Sequence, residues 1–338
     1  MRVWTALLGL AAMVVIGGET AYADGAPSAG VSQGGSGVVS GALRYVALPA
    51  PGGTSVAQID SAGGTVNGFV SLRGSWGIPI VAFDGTTSGV SAGGQTLVLA
   101  QSSQTLLPRR SRFALVNPVK MRLRGVVTLR GAFYFDAISP DGGTMYLIQH
   151  TSAFNILRYA VRAYDLRTDR LVPGAIVDKR EPDERMAGYP VARAVTGDGV
   201  WAYTLYQKPS GRLFVHALDT SRGIARCIDL PRLAGVVQSM TGLSVDGGRL
   251  DVVSGGAVLA AVDRSTFRVT RSPAPASATG RPARPAEHRP STGRTAPIVA
   301  VVLFGLLVAG GGAALAVRRR RPARGRSGEA AAGAPSGP

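Results

Sequence analysis

The chain of 338 residues carries 37 lysines and arginines against 20 aspartates and glutamates, a formal net charge of +17, and one cysteine. A single cysteine excludes an intramolecular disulfide, so packing must stabilise the fold. The charge would suit a nucleic-acid-binding protein, but Arg2 and the eleven arginines after residue 270 carry most of the excess and leave residues 24–270 at about +8.

Residues 1–23 are typical of a secretory signal peptide. Arg2 gives a positive start, and the following run of about 15 apolar residues is too short to span a membrane. Ala21 and Ala23 supply the small-x-small pattern of a signal peptidase site, which predicts cleavage after Ala23. The alternative is an uncleaved N-terminal anchor. Export argues against a nucleic-acid partner. Cleavage after Ala23 would place a Gly/Ser-rich segment, residues 24–37, at the start of the mature protein.

Two patterns repeat through residues 38–271. The first is a turn followed by an apolar run, with copies 48 to 57 residues apart that begin at Ser40, Ser91, Ser139, Thr196 and Ser244. The second reads strand, turn, strand, with the turn at Asp60, Asn117, Asp165, Asp219 and Asp263. Asp-Gly pairs and Asx side chains form tight hairpins, and the runs between them are rich in β-branched and aromatic residues. The spacing matches a four-stranded unit and predicts an all-β domain.

The segments SPDGGTMYLI (139–148) and VRAYDLRTDRL (161–171) resemble bacterial β-propellers of the broad TolB-like and WD40-like class. The resemblance implies a β-propeller of about five four-stranded blades over residues 38–271 and no particular activity. Gly93 replaces the usual Asp in the Ser91 copy, and no Trp-Asp dipeptide closes any blade.

Two groups of residues are candidate interaction sites. The longest charged insert is a predicted loop over 178–190, where loops of a propeller normally bind partners. Its candidate residues are Arg180, Glu181, Asp183, Glu184, Arg185 and Tyr189. The second candidate is a basic patch that suits an anionic polymer, made by Arg109, Arg110, Arg112, Lys120, Arg122, Arg124 and Arg130. Ordinary solvated loop and strand faces are the alternative for both groups.

The chain carries no nucleophile elbow, P-loop, HExxH motif or EF-hand loop, and its histidines lie far apart. We therefore expect no metal, no cofactor and no enzyme activity. The alternative is a glycoside hydrolase with carboxylates at the propeller axis. Its candidate acids are Asp136, Asp178, Asp183, Glu184 and Asp251.

The C-terminal region predicts a membrane anchor. Residues 272–297 form a stalk rich in Pro, Ala and Arg; residues 298–317 are uncharged and long enough for a transmembrane α-helix; residues 318–338 are a basic tail. Because positive flanks stay in the cytoplasm, the N-terminal domain is expected outside. Pro290, Thr292 and Gly293 resemble a sortase sorting motif, but Arg289 replaces its leucine. Covalent wall attachment is therefore the alternative to a retained helix.

These patterns together predict a single-pass, membrane-anchored interaction module at the cell surface. Its loops are expected to contact an anionic wall polymer, a surface protein or nothing specific, and its oligomeric state is left open.

Overall fold

The computed structural model describes residues 30–35, 37–181, 186–233 and 240–271. The chain divides into two compact units, 1–279 and 280–338, and every described residue belongs to the first. The regular elements of the described residues are strands β1 to β21. Within the same residues, no helix is both long and apolar enough to cross a membrane.

The strands form five antiparallel sheets, each built from four consecutive strands. Sheet 1 contains β2 (Val38–Ser40), β3 (Leu43–Ala50), β4 (Gly53–Asp60) and β5 (Val66–Arg73). Sheet 2 contains β6 (Trp76–Pro79), β7 (Leu97–Gln101), β8 (Arg110–Asn117) and β9 (Arg122–Arg130), and β1 (Val31–Ser32) pairs with β6 as a fifth strand. Sheet 3 contains β10 (Phe133–Ile138), β11 (Thr144–His150), β12 (Tyr159–Asp165) and β13 (Arg170–Leu171). Sheet 4 contains β14 (Tyr189–Val195), β15 (Trp201–Gln207), β16 (Leu213–Asp219) and β17 (Ile224–Asp229). Sheet 5 contains β18 (Thr241–Asp246), β19 (Arg249–Ser254), β20 (Ala257–Asp263) and β21 (Val269–Arg271).

Both sequence repeats recur at equivalent positions of the sheets. The first signature lies in each sheet at the connection between its first and second strands, and the second lies at the turn between its third and fourth strands. The predictions of an all-β domain and of a repeat are confirmed. Repeated four-stranded antiparallel sheets of this kind are consistent with a β-propeller.

The turn after Ser139 shows why the first signature needs its residues. The Ser139 hydroxyl oxygen accepts the N–H groups of Gly143 and Thr144, at 3.1 and 2.8 Å, and the hydroxyl donates to Asp141. Gly142 has a φ of 67°, a conformation that costs side-chain-bearing residues free energy. The Ser139 hydroxyl and the Gly143 N–H both donate to the Asp141 carboxylate. These hydrogen bonds hold the pKa of Asp141 below its ordinary value.

The second signature uses a carboxylate or amide in the same way. Oδ1 of Asp263 accepts the N–H groups of Ser265 and Thr266, and the hydroxyls of both residues donate to it. These hydrogen bonds lower the pKa of Asp263 to about 2. The matching Asx bonds occur at Asp60, Asn117, Asp165 and Asp219. The polar residue of each turn therefore closes the hairpin locally.

Apolar clusters lie between consecutive sheets and hold them together. Val56 of sheet 1 packs with Leu97 of sheet 2, and Phe113 of sheet 2 packs with Leu147 of sheet 3. Further clusters join sheet 3 to sheet 4 and sheet 4 to sheet 5. Each fully buried side chain of this size contributes about 1.5–3 kcal/mol. Among the described residues, no such cluster joins sheet 5 to sheet 1.

The connection between β6 and β7 also bonds to a sheet that is not its neighbour. The N–H groups of Phe83 and Asp84 donate to the carbonyls of Pro190 and Val191 in β14. Residues 80–96 therefore link sheet 2 directly to sheet 4 and supply backbone partners to the first strand of that sheet.

Candidate functional site

The predicted basic residues lie at two ends of one hairpin, β8–β9. Arg109, Arg110, Arg112 and Arg130 lie where β8 begins and β9 ends, and we call them the start cluster. Lys120, Arg122 and Arg124 lie at the turn between the strands, and we call them the turn cluster. The eight residues of β8 place the outer members of the two clusters, Arg110 and Arg122, about 24 Å apart, at about 3.4 Å per residue. The structure thus divides the patch that the sequence treats as one.

Sheets 1 and 2 contain almost no carboxylates to balance these cations. Residues 30–131 carry nine lysines and arginines, and their only acids are Asp60 and Asp84. The ion pairs among the described residues all lie in sheets 3 to 5 or the connections between them. The cations of sheet 2 therefore keep their positive potential free for a partner.

Both clusters have ordered members. Arg110 and Arg130 are direct cross-strand partners, and the guanidinium of Arg112 lies 5.5 Å from the centre of the Trp76 ring. In the turn cluster, Nη1 of Arg124 donates to Thr96 Oγ1 at 3.0 Å. These contacts leave most of the guanidinium N–H groups available.

A cleft of about 690 Å³ lies next to the start cluster. Its lining includes Arg110, Arg112 and the buried rings of Phe113, Phe133 and Phe135, together with the polar loop 101–105. Among the described residues, no carboxylate lines it. Phe113, Phe133 and Phe135 belong to the apolar cluster between sheets 2 and 3, so the cleft opens on the side of sheet 2 that faces sheet 3.

The predicted interaction loop is anchored to sheet 4. Asp178 is buried and accepts three side-chain hydrogen bonds and one backbone N–H bond from Arg180, together with one from the Cys227 N–H. Burial by itself raises the pKa of Asp178, but these hydrogen bonds outweigh it and hold the pKa well below its usual range. Arg180 thus has a structural partner, and the Tyr189 ring packs 6.4 Å from that of Phe83.

Three other residues of that loop, Asp183, Glu184 and Arg185, lie outside the described residues, whereas Glu181 is described and exposed. The signal-peptide site, the stalk, the sorting motif and the predicted transmembrane helix also lie outside the described residues.

The three described carboxylates of the set predicted for a glycosidase, Asp136, Asp178 and Asp251, have cationic partners of their own. Asp136 forms a buried ion pair with Arg193 at 2.7 Å, and Asp251 pairs with Arg249 at 2.8 Å. Arg193 also donates to Thr204 and to the Asp136 carbonyl. Within the described part of the chain, no three His, Cys, Asp or Glu side chains form a group that could hold a metal ion.

The Asp136–Arg193 pair was missed by the sequence analysis. It belongs to a polar row across sheet 4, because Arg193, Thr204 and His216 are in register on β14, β15 and β16. Burial is the main cause that lowers the pKa of His216 to about 4, and the Arg193 charge lowers it further. An arginine between alanines in an apolar strand could have indicated an inward-facing charge.

No protein-family model matches the chain, and no curated protein is significantly similar to it. Solved structures with a similar fold include TolB from Acinetobacter baumannii, with 10% identity and a TM-score of 0.39, over 68% of this chain and 50% of that one. The chain therefore spans half the length of that TolB. A putative TolB from Agrobacterium tumefaciens matches with 12% identity and a TM-score of 0.36, over 67% of this chain and 76% of that one.

The expectation of no enzyme activity, which rested on missing sequence motifs, is wrong, because enzymes are among the structures with a similar fold. They include a puromycin-hydrolysing peptidase from Mycobacterium tuberculosis, with 18% identity and a TM-score of 0.38, over 68% of this chain and 36% of that one. A prolyl endopeptidase matches with 10% identity and a TM-score of 0.41, over 72% and 36% of the two chains. A putative 6-phosphogluconolactonase from Bacteroides uniformis matches with 15% identity and a TM-score of 0.41, over 70% and 68%.

Proposed function

We propose that this chain is an interaction propeller of the cell envelope, which binds an anionic partner through sheet 2. The supporting observation is the charge distribution: sheets 1 and 2 hold nine cations and two carboxylates, and the described ion pairs lie elsewhere. A surface with unpaired charges of one sign attracts ligands of the opposite sign over about 8–10 Å at physiological salt.

The proposal places the propeller outside the cytoplasmic membrane, held by the helix predicted at 298–317. Its support is the signal-peptide pattern at one end and the run of arginines after the apolar segment at the other. Anionic polymers of a cell wall would lie within reach of a domain on such a stalk. We favour them over a surface protein because they present many charges and need no matching apolar face.

Binding of the full chain to isolated cell walls tests the partner. Retention should fall as salt is raised and should be lost when the anionic polymers are chemically removed from the wall. The double variant Arg110→Gln/Arg130→Gln should be retained less. The control Arg170→Gln/Arg212→Gln removes the same charge from exposed positions outside sheets 1 and 2 and should behave as wild type. Retention that survives polymer removal but not protease treatment of the wall would indicate a protein partner instead.

Protease accessibility tests the location. Protease added to intact protoplasts should digest residues 24–270 and spare the tail at 318–338. Protection of the larger domain would contradict the proposed location.

A further inference from the structure

We infer that the β8–β9 hairpin carries two oxyanion subsites, and that its ligand is a polymer of repeating phosphate or carboxylate groups rather than a small anion. The inference rests on the anionic partner proposed above. It goes further because it assigns the two clusters separate roles and sets the length of a ligand that contacts the outer members of both, about 24 Å along β8 from Arg110 to Asn117, the partner of Arg122.

The start subsite brings like charges together. Arg110 and Arg130 face one another across β8 and β9, an arrangement that lowers stability when nothing neutralises it. Arg112 shares their face of the sheet and lies over Trp76, and stacking holds its planar guanidinium in place. Guanidinium groups bind phosphate and carboxylate oxygens in pairs, so an oxyanion here relieves the repulsion.

The turn subsite is built on a fixed backbone. The Lys120 N–H donates to Asn117 Oδ1 at 2.8 Å, and Met121 has a φ of 41°, which together define the turn. Arg124 is oriented by Thr96, and Arg122 and Lys120 are exposed beside it. This subsite therefore offers a second set of cations, separate from the first.

The route between the two subsites follows the open edge of sheet 2. β9 is the last strand in the sheet order, so none of the described strands pairs with its outer edge. Arg110 and Arg130 lie on the face directed towards sheet 1, whereas Arg122 pairs with Asn117 on the opposite face. At Gly125, midway along the edge, nothing lies within 4 Å of the position that a Cβ would take. An extended chain can thus cross the edge and contact both subsites.

Polyphosphates of two lengths test this inference on the full chain. Tripolyphosphate can occupy one subsite only, whereas long-chain polyphosphate can reach both. Because the second contact is then intramolecular, the long chain should bind about 100-fold more tightly. Arg110→Gln/Arg130→Gln and Lys120→Gln/Arg122→Gln should each reduce this advantage to about tenfold or less, and the control Arg170→Gln/Arg212→Gln should leave it unchanged.

A second readout separates a binding role from a structural one. Arg130→Gln should raise the melting temperature of the ligand-free protein while it weakens long-chain binding, since it removes a like-charge pair. A lower melting temperature would contradict the subsite assignment.

The remaining outcomes are distinct. Equal affinity for the two polyphosphates would overturn the two-subsite inference and leave the proposed function in place. Absence of charge-dependent binding to both polyphosphates and to anionic vesicles would overturn the inference and the proposed function together. Vesicles of phosphatidylcholine with and without phosphatidylglycerol separate polymer from lipid headgroups. Binding to the anionic vesicles but to neither polyphosphate would assign the subsites to a membrane surface and contradict the polymer.

Discussion

Replacing Gly142 by alanine tests how the repeated turns hold neighbouring sheets together. Gly142 has a φ of 67°, and a Cβ at this position would lie 2.6 Å from Thr96 Oγ1 and 3.2 Å from Ser91 Oγ. Both hydroxyls belong to sheet 2, and that of Thr96 donates to the Gly142 carbonyl at 3.1 Å. The substitution therefore strains the turn and also pushes sheet 3 away from sheet 2.

Gly94→Ala is the matched control for the backbone strain alone. Gly94 holds the equivalent place in the Ser91 copy, with a φ of 69°, but nothing lies within 4 Å of its Cβ position. A left-handed backbone costs a non-glycine residue about 1–2 kcal/mol, which both variants should lose. Overpacking adds about 1–3 kcal/mol, so Gly142→Ala should lose about 2–5 kcal/mol in all.

Urea unfolding of the full chain, followed by far-ultraviolet circular dichroism, measures both losses. The difference between the two variants isolates the contact with sheet 2, because their backbone strain is shared. Equal losses would refute the close approach of Gly142 to Thr96. An unchanged stability of Gly142→Ala would refute the left-handed turn itself.

Three further predictions concern the buried charges and the anchor. Arg193→Met leaves the Asp136 carboxylate buried without its partner and should lower the free energy of unfolding by about 3–5 kcal/mol, measured as a lower urea midpoint. Adding Asp136→Leu to this variant should restore most of the lost stability. His216 has a pKa of about 4 in the folded state against an ordinary value of 6.5, so the unfolded state binds more protons between these values. The free energy of unfolding should therefore fall as pH drops from 6.5 to 4, by about 3 kcal/mol, and His216→Phe should flatten this slope in pH-dependent urea titrations. If a retained helix anchors the protein, Thr292→Ala should leave it extractable by detergent at full mature size. Sortase attachment predicts instead that the wild type resists detergent until wall-digesting enzymes are added, and that Thr292→Ala removes this resistance.

The individual hairpins could be predicted because their chemistry is local. Ser139, Asp141 and Gly142 lie within four residues and bond to one another, so their order in the sequence is sufficient to define the turn. The Asx bond of Asp263 also closes within three residues. The repeat then showed that the same local unit recurs, and hence that the domain is built from similar sheets.

The candidate sites could be predicted only in part, since they depend on how sheets are placed against one another. The sequence indicated the basic residues, but strand length and alternation separate them into two clusters on opposite faces. Arg180 looked available for binding, yet its partner Asp178 is buried beside Cys227, which is 49 residues further along the chain.

The sequence by itself determined the all-β character, the position of each hairpin and the excess of positive charge, because turn propensity, strand alternation and composition act over a few residues. Only the tertiary structure decided which charges are neutralised. Asp136 and Arg193 meet across 57 residues of sequence, and residues 80–96 reach β14 in a sheet that is not their neighbour. Such contacts follow from the packing of whole sheets, whose relative placement depends on many buried side chains at once.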